Sequence, residues 1–241
     1  MSQALRVTEL WRYPVKSLQG ERLDTAMVTG DGLDGDRRYA IFDPDTGLGL
    51  TARRVPELLF ASASLTADGR VRITLPDGSL ADGDDALSAW LERRVALRSA
   101  EQNAGGRYED VVDFERERSS GWRTFEGAPG AFHDSSRARV SLVSTGTIGA
   151  WDRRRFRANV LLAGEGEDRM LRSRIGIGEA TLEIGSEIRR CVMVTRPQPG
   201  GIDRDLGVLR TIARERAARL AVGALVSHPG IVRVGDELNP R

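Results

Sequence analysis

The sequence predicts a mainly β protein of the α+β class, built from two β-rich regions with a few helices. Three observations predict it. Short apolar runs of strand length recur between turn residues through the first hundred positions, and a second set opens at Ala138. Only a few segments carry helix signals.

In chain order, Leu5 to Tyr13, Leu23 to Thr29, Arg38 to Phe42 and Ala61 to Leu65 read as strands. In LTADGRVRITL, Asp68-Gly69 stands between two alternating runs, the chemistry of a tight hairpin turn. Asp84 to Arg94 has Ala86, Leu87, Trp90 and Leu91 at helical spacing, with aspartates where a helix start favours anions. From Asn103 to His133 periodicity fades among Gly, Ser, Arg and Glu, which reads as a long connection. These signals divide the chain into a subdomain at 1–100, a connecting segment at 101–137 and a second domain at 138–241.

In the second domain, VSLVS leads into a helix start at Thr145 to Trp151, capped by Ser144 or Thr145. Strands are expected at Ala158 to Leu162, Ala180 to Ile184 and Arg189 to Thr195. Leu206 to Leu220 is the clearest helix, with Leu206, Leu209, Ile212, Ala213, Ala217 and Leu220 along one face. GIVRVGDEL closes the chain as strand, glycine turn and strand cap.

Composition removes several functions. A net charge of +1 supplies no field to gather nucleic acid or an anionic membrane surface, so neither is an expected partner. No apolar stretch approaches a membrane span and the N-terminus lacks signal-peptide character, so a reducing, cytoplasmic setting is expected. One cysteine cannot form an internal disulfide, and His133 and His228 lack zinc-ligand spacing. The only lysine has no glycine-rich phosphate loop before it. GDGLDGD at Gly30 to Asp36 lies between β-type runs, and GIG at Gly176 to Gly178 precedes a strand, so neither opens a dinucleotide-binding helix.

Two features remain. Of the 36 basic residues only Lys16 is a lysine, a compact point charge in a chain that otherwise uses planar guanidinium forks. Cys191 follows two arginines in EIRRCVMVT; arginine beside sulfur favours the thiolate, which binds metals and attacks electrophiles. Against that, a lone cysteine in a strand commonly serves as a small packing residue.

Six segments together resemble one family. They are YPVKSLQG (Tyr13 to Gly20), GDRRYAIFD (Gly35 to Asp43), LTARRVPEL (Leu50 to Leu58), RFRANVLL (Arg155 to Leu162), RRCVMVT (Arg189 to Thr195) and PGIVRVGDEL (Pro229 to Leu238). In this order they resemble MOSC-domain proteins with an N-terminal MOSC β-barrel, the group that includes the amidoxime-reducing molybdenum proteins and their bacterial counterparts. The resemblance implies an N-terminal β-barrel-like subdomain packed on a MOSC-type β-barrel. It implies molybdenum-molybdopterin as cofactor, with Cys191 as the metal ligand and catalytic residue. Lys16, Ser17, Arg37, Ser144, Arg157, Asn159, Arg189 and Arg190 would hold the pterin and its phosphate, with Thr51 and Arg53 on the pocket wall. Such a protein would reduce a small N-hydroxylated substrate with electrons from a separate reductase or ferredoxin-type protein. The same domain also occurs as a cofactor carrier or sulfur-transfer module. Ala158 departs from the family pattern, which often has proline after the RFR arginine.

Overall fold

Alternation decides the main sheet. In the strand Ala180–Arg189, Ala180, Leu182 and Ile184 are buried while the residues between them are not, so one face turns to a core and the other away. The computed structural model describes residues 5–101 and 105–241. Asn103, where the expected connection begins, lies outside the described residues.

The first half comprises β1 (Arg6–Arg12), β2 (Glu21–Leu23), β3 (Thr25–Thr29), β4 (Gly32–Leu33), β5 (Tyr39–Phe42), β6 (Ser62–Leu65), β7 (Val71–Thr74), α1 (Gly83–Trp90), β8 (Ala96–Ser99), β9 (Arg107–Val111) and β10 (Trp122–Glu126). The second comprises β11 (Val140–Ser144), α2 (Thr145–Ile148), β12 (Val160–Ala163), β13 (Arg174–Ile177), β14 (Ala180–Arg189), α3 (Leu206–Arg216), β15 (Arg219–His228), β16 (Gly230–Arg233) and β17 (Leu238–Pro240). The fold is mostly β, as expected.

Eight strands form one sheet in the order β17-β13-β14-β15-β11-β12-β1-β2, antiparallel except where β11 runs parallel to β12. Its far sides meet. Leu238 N–H donates to Leu5 O at 2.9 Å, Val7 N–H to Asp236 O at 2.9 Å and Gly235 N–H to Val7 O at 2.9 Å, so β1 also lies against the approach to β17. The sheet therefore curls into a barrel around Leu10, Leu142, Leu162, Leu182, Ile184 and Val222. Helix α3 packs Val208, Leu209 and Ile212 against Val143, Leu161 and Val194 on the outside. A separate core of Val15, Leu18, Ile41, Leu58, Ile73, Leu87 and Val95 holds the first half. No helix among the described residues is long and apolar enough to cross a membrane.

The Asp68-Gly69 hairpin forms between β6 and β7, with Leu65 opposite Val71 and Gly69 at φ 79°. Ser144 caps α2, accepting from Thr147 N–H at 3.3 Å. Other segments differ from expectation for physical reasons. The run Leu23 to Thr29 breaks at Asp24 because the chain changes sheet: β2 pairs with β1, whereas β3 pairs with β16. Helix α1 stops at Trp90, and Glu92 at φ 51° turns the chain toward β8. Helix α3 stops at Arg216 because Ala217 and Ala218 take left-handed backbone, which leaves Leu220 to β15. Part of the expected connection is a regular hairpin, β9 against β10, with Trp122 opposite Val111 and Glu126 opposite Arg107. The expected strand Arg189 to Thr195 ends at Arg189; a 3-10 turn follows at Val192–Thr195, and Cys191 sits on the joint at φ −123°, ψ −179°.

Candidate functional site

A cavity of about 580 Å³ opens between the two halves of the chain, within the usual range for small-molecule sites. Its wall includes Lys16, Ser17, Arg37, Arg157, Asn159, Arg189, Arg190 and Cys191, together with Thr51 and Arg53. Local structure explains why each arrives there.

Lys16 and Ser17 leave the end of β1 in a tight turn. Lys16 N–H donates to Tyr39 O at 2.8 Å, and Ser17 adopts φ 70°. Arg37 and Arg157, at φ 52° and 50°, share that left-handed backbone. It costs an L side chain about 1–3 kcal/mol, and such strain gathers at functional sites. Three strained non-glycine residues on one cavity wall mark it as a place where packing is not the only requirement.

Lys16 is 5% exposed. Its ammonium donates to Phe132 O at 2.8 Å, pairs with Asp134 and lies 4.1 Å from the Tyr108 ring centre. Burial pulls it down to about 8, although Asp134 pulls the other way. Asp134 bridges Lys16 and Arg53 from the cavity rim, its side chain 46% exposed. Partial burial works to raise the Asp134 carboxyl, but Arg53 and Lys16 hold it well below the usual carboxylate range. Arg37 pairs with the buried Asp36, whose other oxygen accepts from Tyr13 N–H at 2.8 Å.

Arg157 stacks 4.3 Å from the Tyr13 ring centre and donates to Leu18 O. Arg190 donates to Leu220 O at 2.8 Å and Phe156 O at 3.0 Å. Burial lowers both guanidinium groups to about 10, which records buried positive charge without a matching anion. Arg53 Nε, Arg139 Nη1, Arg157 Nη2 and Arg190 Nη2 are buried with no hydrogen-bond partner among the described residues. Leaving such donors unpaired is costly, so this wall suits an acceptor-rich ligand.

Cys191 is partly exposed at the cavity and is a free thiol. The side chain before it anchors the joint, since Arg190 holds backbone carbonyls on either side. Thr195 Oγ1 donates to Val192 O at 2.7 Å and fixes the turn after it. Arg53 and Arg190 both lie close enough to Cys191 to interact with its sulfur electrostatically. The loop between β9 and β10 ties down the chain beyond it: Glu117 pairs with the buried Arg196 and with Arg204, and Glu115 with Arg210.

Two expected contacts have other engagements. Asn159 lines the cavity, but its side chain already accepts from Ser141 Oγ at 2.9 Å and donates to Trp11 O at 3.2 Å, stitching the barrel. Ser144 is fully buried away from the cavity, and its hydroxyl donates to Glu167 at 2.5 Å. Sequence reasoning missed Asp134, Tyr108, Arg123, Arg137 and Arg139. Nothing in their spacing marks them, because Tyr108 and Arg123 stand on the β9–β10 hairpin and Asp134, Arg137 and Arg139 on the segment before β11, and only folding brings the two together.

Comparison with known proteins agrees along the chain. The MOSC N-terminal beta barrel domain matches residues 4–115 and the MOSC domain matches residues 129–239. A molybdenum cofactor sulfurase of Drosophila grimshawi is 25% identical over 255 aligned positions, covering 94% of this chain and 33% of that protein. The chain thus spans about one third of the length of that curated relative. Among solved structures, the YuaD protein of Bacillus subtilis has a TM-score of 0.45 at 16% identity, covering 98% of this chain and 94% of that one. YiiM of Geobacillus stearothermophilus has a TM-score of 0.37 at 15% identity, covering 57% and 73%.

Proposed function

Because the chain belongs to the MOSC-domain proteins that carry an N-terminal MOSC β-barrel domain, we propose that its cavity holds the molybdenum cofactor and that the loaded protein reduces N-hydroxylated compounds. The observation that carries the cofactor assignment is the set of unmatched guanidinium groups buried around one accessible thiol. A phosphate-bearing pterin supplies the acceptors that Arg157 and Arg190 lack. Among the described residues no group of three or more His, Cys, Asp or Glu is gathered to hold a metal ion. A metal at Cys191 would therefore arrive with most of its ligands already in place, as one does inside an organic cofactor, and soft sulfur suits molybdenum.

The roles of the chain's own groups follow. Lys16, Arg37, Arg157 and Arg190 hold and orient the anionic and polar edges, and the Ser17 hydroxyl can add a donor. Cys191 fixes the metal. When bound, the cofactor would supply the two-electron redox change. One cysteine cannot hold an iron–sulfur cluster, so electrons for reduction come from a separate reductase or ferredoxin-type protein.

A second reading is that the protein carries the cofactor, or sulfur on Cys191, without reducing anything. The similarity to part of a molybdenum cofactor sulfurase favours it. Metal analysis of the parent and Cys191→Ser tests the cofactor assignment: one molybdenum per chain is expected in the parent and little in the variant. Molybdenum in neither sample refutes it. A loaded parent that fails to reduce an amidoxime or an N-hydroxylated purine with a chemical electron donor refutes the reductase and leaves the carrier.

A further inference from the structure

Positive charge at the cavity divides into two groups by depth. Nine basic residues line it against three acidic ones, Asp110, Asp134 and Glu187. In the interior, Lys16 and Arg37 already have partners in Asp134 and Asp36. Arg53 has Asp110 and Asp134. Arg157 and Arg190 remain as the fully buried charges of the cavity without an ion pair among the described residues, and two such charges match the dianion of one phosphate monoester. The half-buried Arg139, which donates to Pro129 O, has no ion pair among them either. Nearer solvent lie Arg123, Arg137 and Arg189, all exposed, with no ion pair among the described residues. Arg123 stands on β10 opposite Asp110, while Arg53, not Arg123, approaches that carboxylate, at 3.6 Å. Arg137 lies beside β14, where Ser186 Oγ donates to its carbonyl at 3.5 Å. Arg189 ends that strand. Glu187 on the same strand turns its carboxylate toward Arg219, at 3.9 Å.

We propose that this outer arginine set binds a phosphate carried by the substrate, so that the preferred substrates are N-hydroxylated compounds bearing a phosphate group, such as nucleotides, in place of neutral bases. The inference rests on the reading of the cavity as a cofactor-loaded reductase site. Its basis is charge balance: one cofactor phosphate satisfies the buried pair and leaves the mouth positive. Arg123 stands on β10 and Arg137 on the segment that leads into β11, so a phosphate held by both would be bound by two separate pieces of the cavity wall. Forked donors suit phosphate oxygens, and charges at an opening concentrate anions before they enter. The reacting group would then reach inward toward Cys191 while the phosphate stays at the mouth.

The test uses protein as isolated, with molybdenum content measured on each sample. Calorimetry compares adenosine with adenosine 5′-monophosphate, neither of which can be reduced. The same protein is assayed with an N-hydroxylated nucleoside and its 5′-monophosphate, using a chemical electron donor. We expect the monophosphate to bind and turn over with kcat/KM about tenfold better or more, the size of two exposed ion pairs. The advantage should shrink as salt rises from 50 to 300 mM, roughly as screening at those ionic strengths requires. Arg123→Gln with Arg137→Gln should abolish the preference and leave molybdenum content at the parent level. Equal binding of nucleoside and monophosphate to the parent overturns the proposal, as does a preference that survives in the double variant. A defect confined to assays with a protein electron donor overturns it too, and assigns the two arginines to docking that donor. Absence of molybdenum from the parent refutes the cofactor reading instead, and the calorimetric comparison still decides whether the mouth selects phosphate.

Discussion

Replacing Lys16 by methionine should stabilise the folded protein at neutral pH and remove that advantage at alkaline pH. The ammonium is buried and loses its proton near pH 8 instead of the ordinary 10.5. At about 1.4 kcal/mol per tenfold change in protonation, holding it charged in the fold costs about 3 kcal/mol relative to the unfolded chain. At pH 7 the group is protonated in both states, so the cost is fully present. Between pH 8 and 10.5 the folded chain releases its proton first, the unfolded chain binds more protons, and the parent gains stability as pH rises. The same relation leaves a cost of about 0.8 kcal/mol at pH 10. Lys16→Met removes this dependence but forfeits the contacts with Phe132 O and Asp134, a loss of about 1–2 kcal/mol. The variant should therefore exceed the parent by about 1–2 kcal/mol at pH 7, and the difference should move against it by about 2.5 kcal/mol by pH 10. Urea unfolding of both proteins at the two pH values, followed by tryptophan fluorescence, measures it. Other titrating groups cancel in the difference. A gap that is the same at both values refutes the argument that Lys16 is held as a costly buried cation.

Arg190→Lys should lose molybdenum retention and destabilise by about 1–3 kcal/mol, because one ammonium cannot span both Leu220 O and Phe156 O; metal content and thermal unfolding report the two effects separately. Glu117→Ala strands the buried Arg196 and should cost about 2–4 kcal/mol in urea unfolding. Glu115→Ala removes only an exposed pair that salt screens, and should leave urea unfolding close to that of the parent. Ser144→Ala should destabilise by about 1–2 kcal/mol through the lost cap and the lost bond to Glu167, with molybdenum content unchanged; a fall in metal content would show that this hydroxyl reaches the ligand after all.

What was legible in the sequence was local. Asp68-Gly69 specifies its hairpin through four neighbouring residues, Ser144 caps the helix it immediately precedes, and the apolar face of α3 is written at its own spacing. The features misread depend on distant partners. Nothing near Asp24 announces that the chain will leave one sheet for another, since the choice is made by β16 about two hundred residues on. The strand expected through Cys191 stops because Arg190 is taken by carbonyls of Leu220 and Phe156. The β9–β10 hairpin hid behind its charges: its arginines and acids face solvent or the cavity, and only Tyr108 and Val111 turn to a core. Asp134 was one carboxylate among 35 acidic residues until folding set it between Lys16 and Arg53.

The closure of the barrel by β1 has a consequence for how the protein is made. Of the described elements β1 is made before the rest, yet it pairs with β12 on one side and lies against residues 235–238 on the other. Contacts of such sequence separation must wait for the chain that lies between, and they fold slowly. Until then the edges of β1 and β12 stand open to pairing with other chains. Cutting the gene between the two halves would not yield two folded pieces. A fragment beginning near residue 129 would lack a stave, and a synthetic peptide carrying residues 5–13 should restore it by adding to the exposed edge of β12.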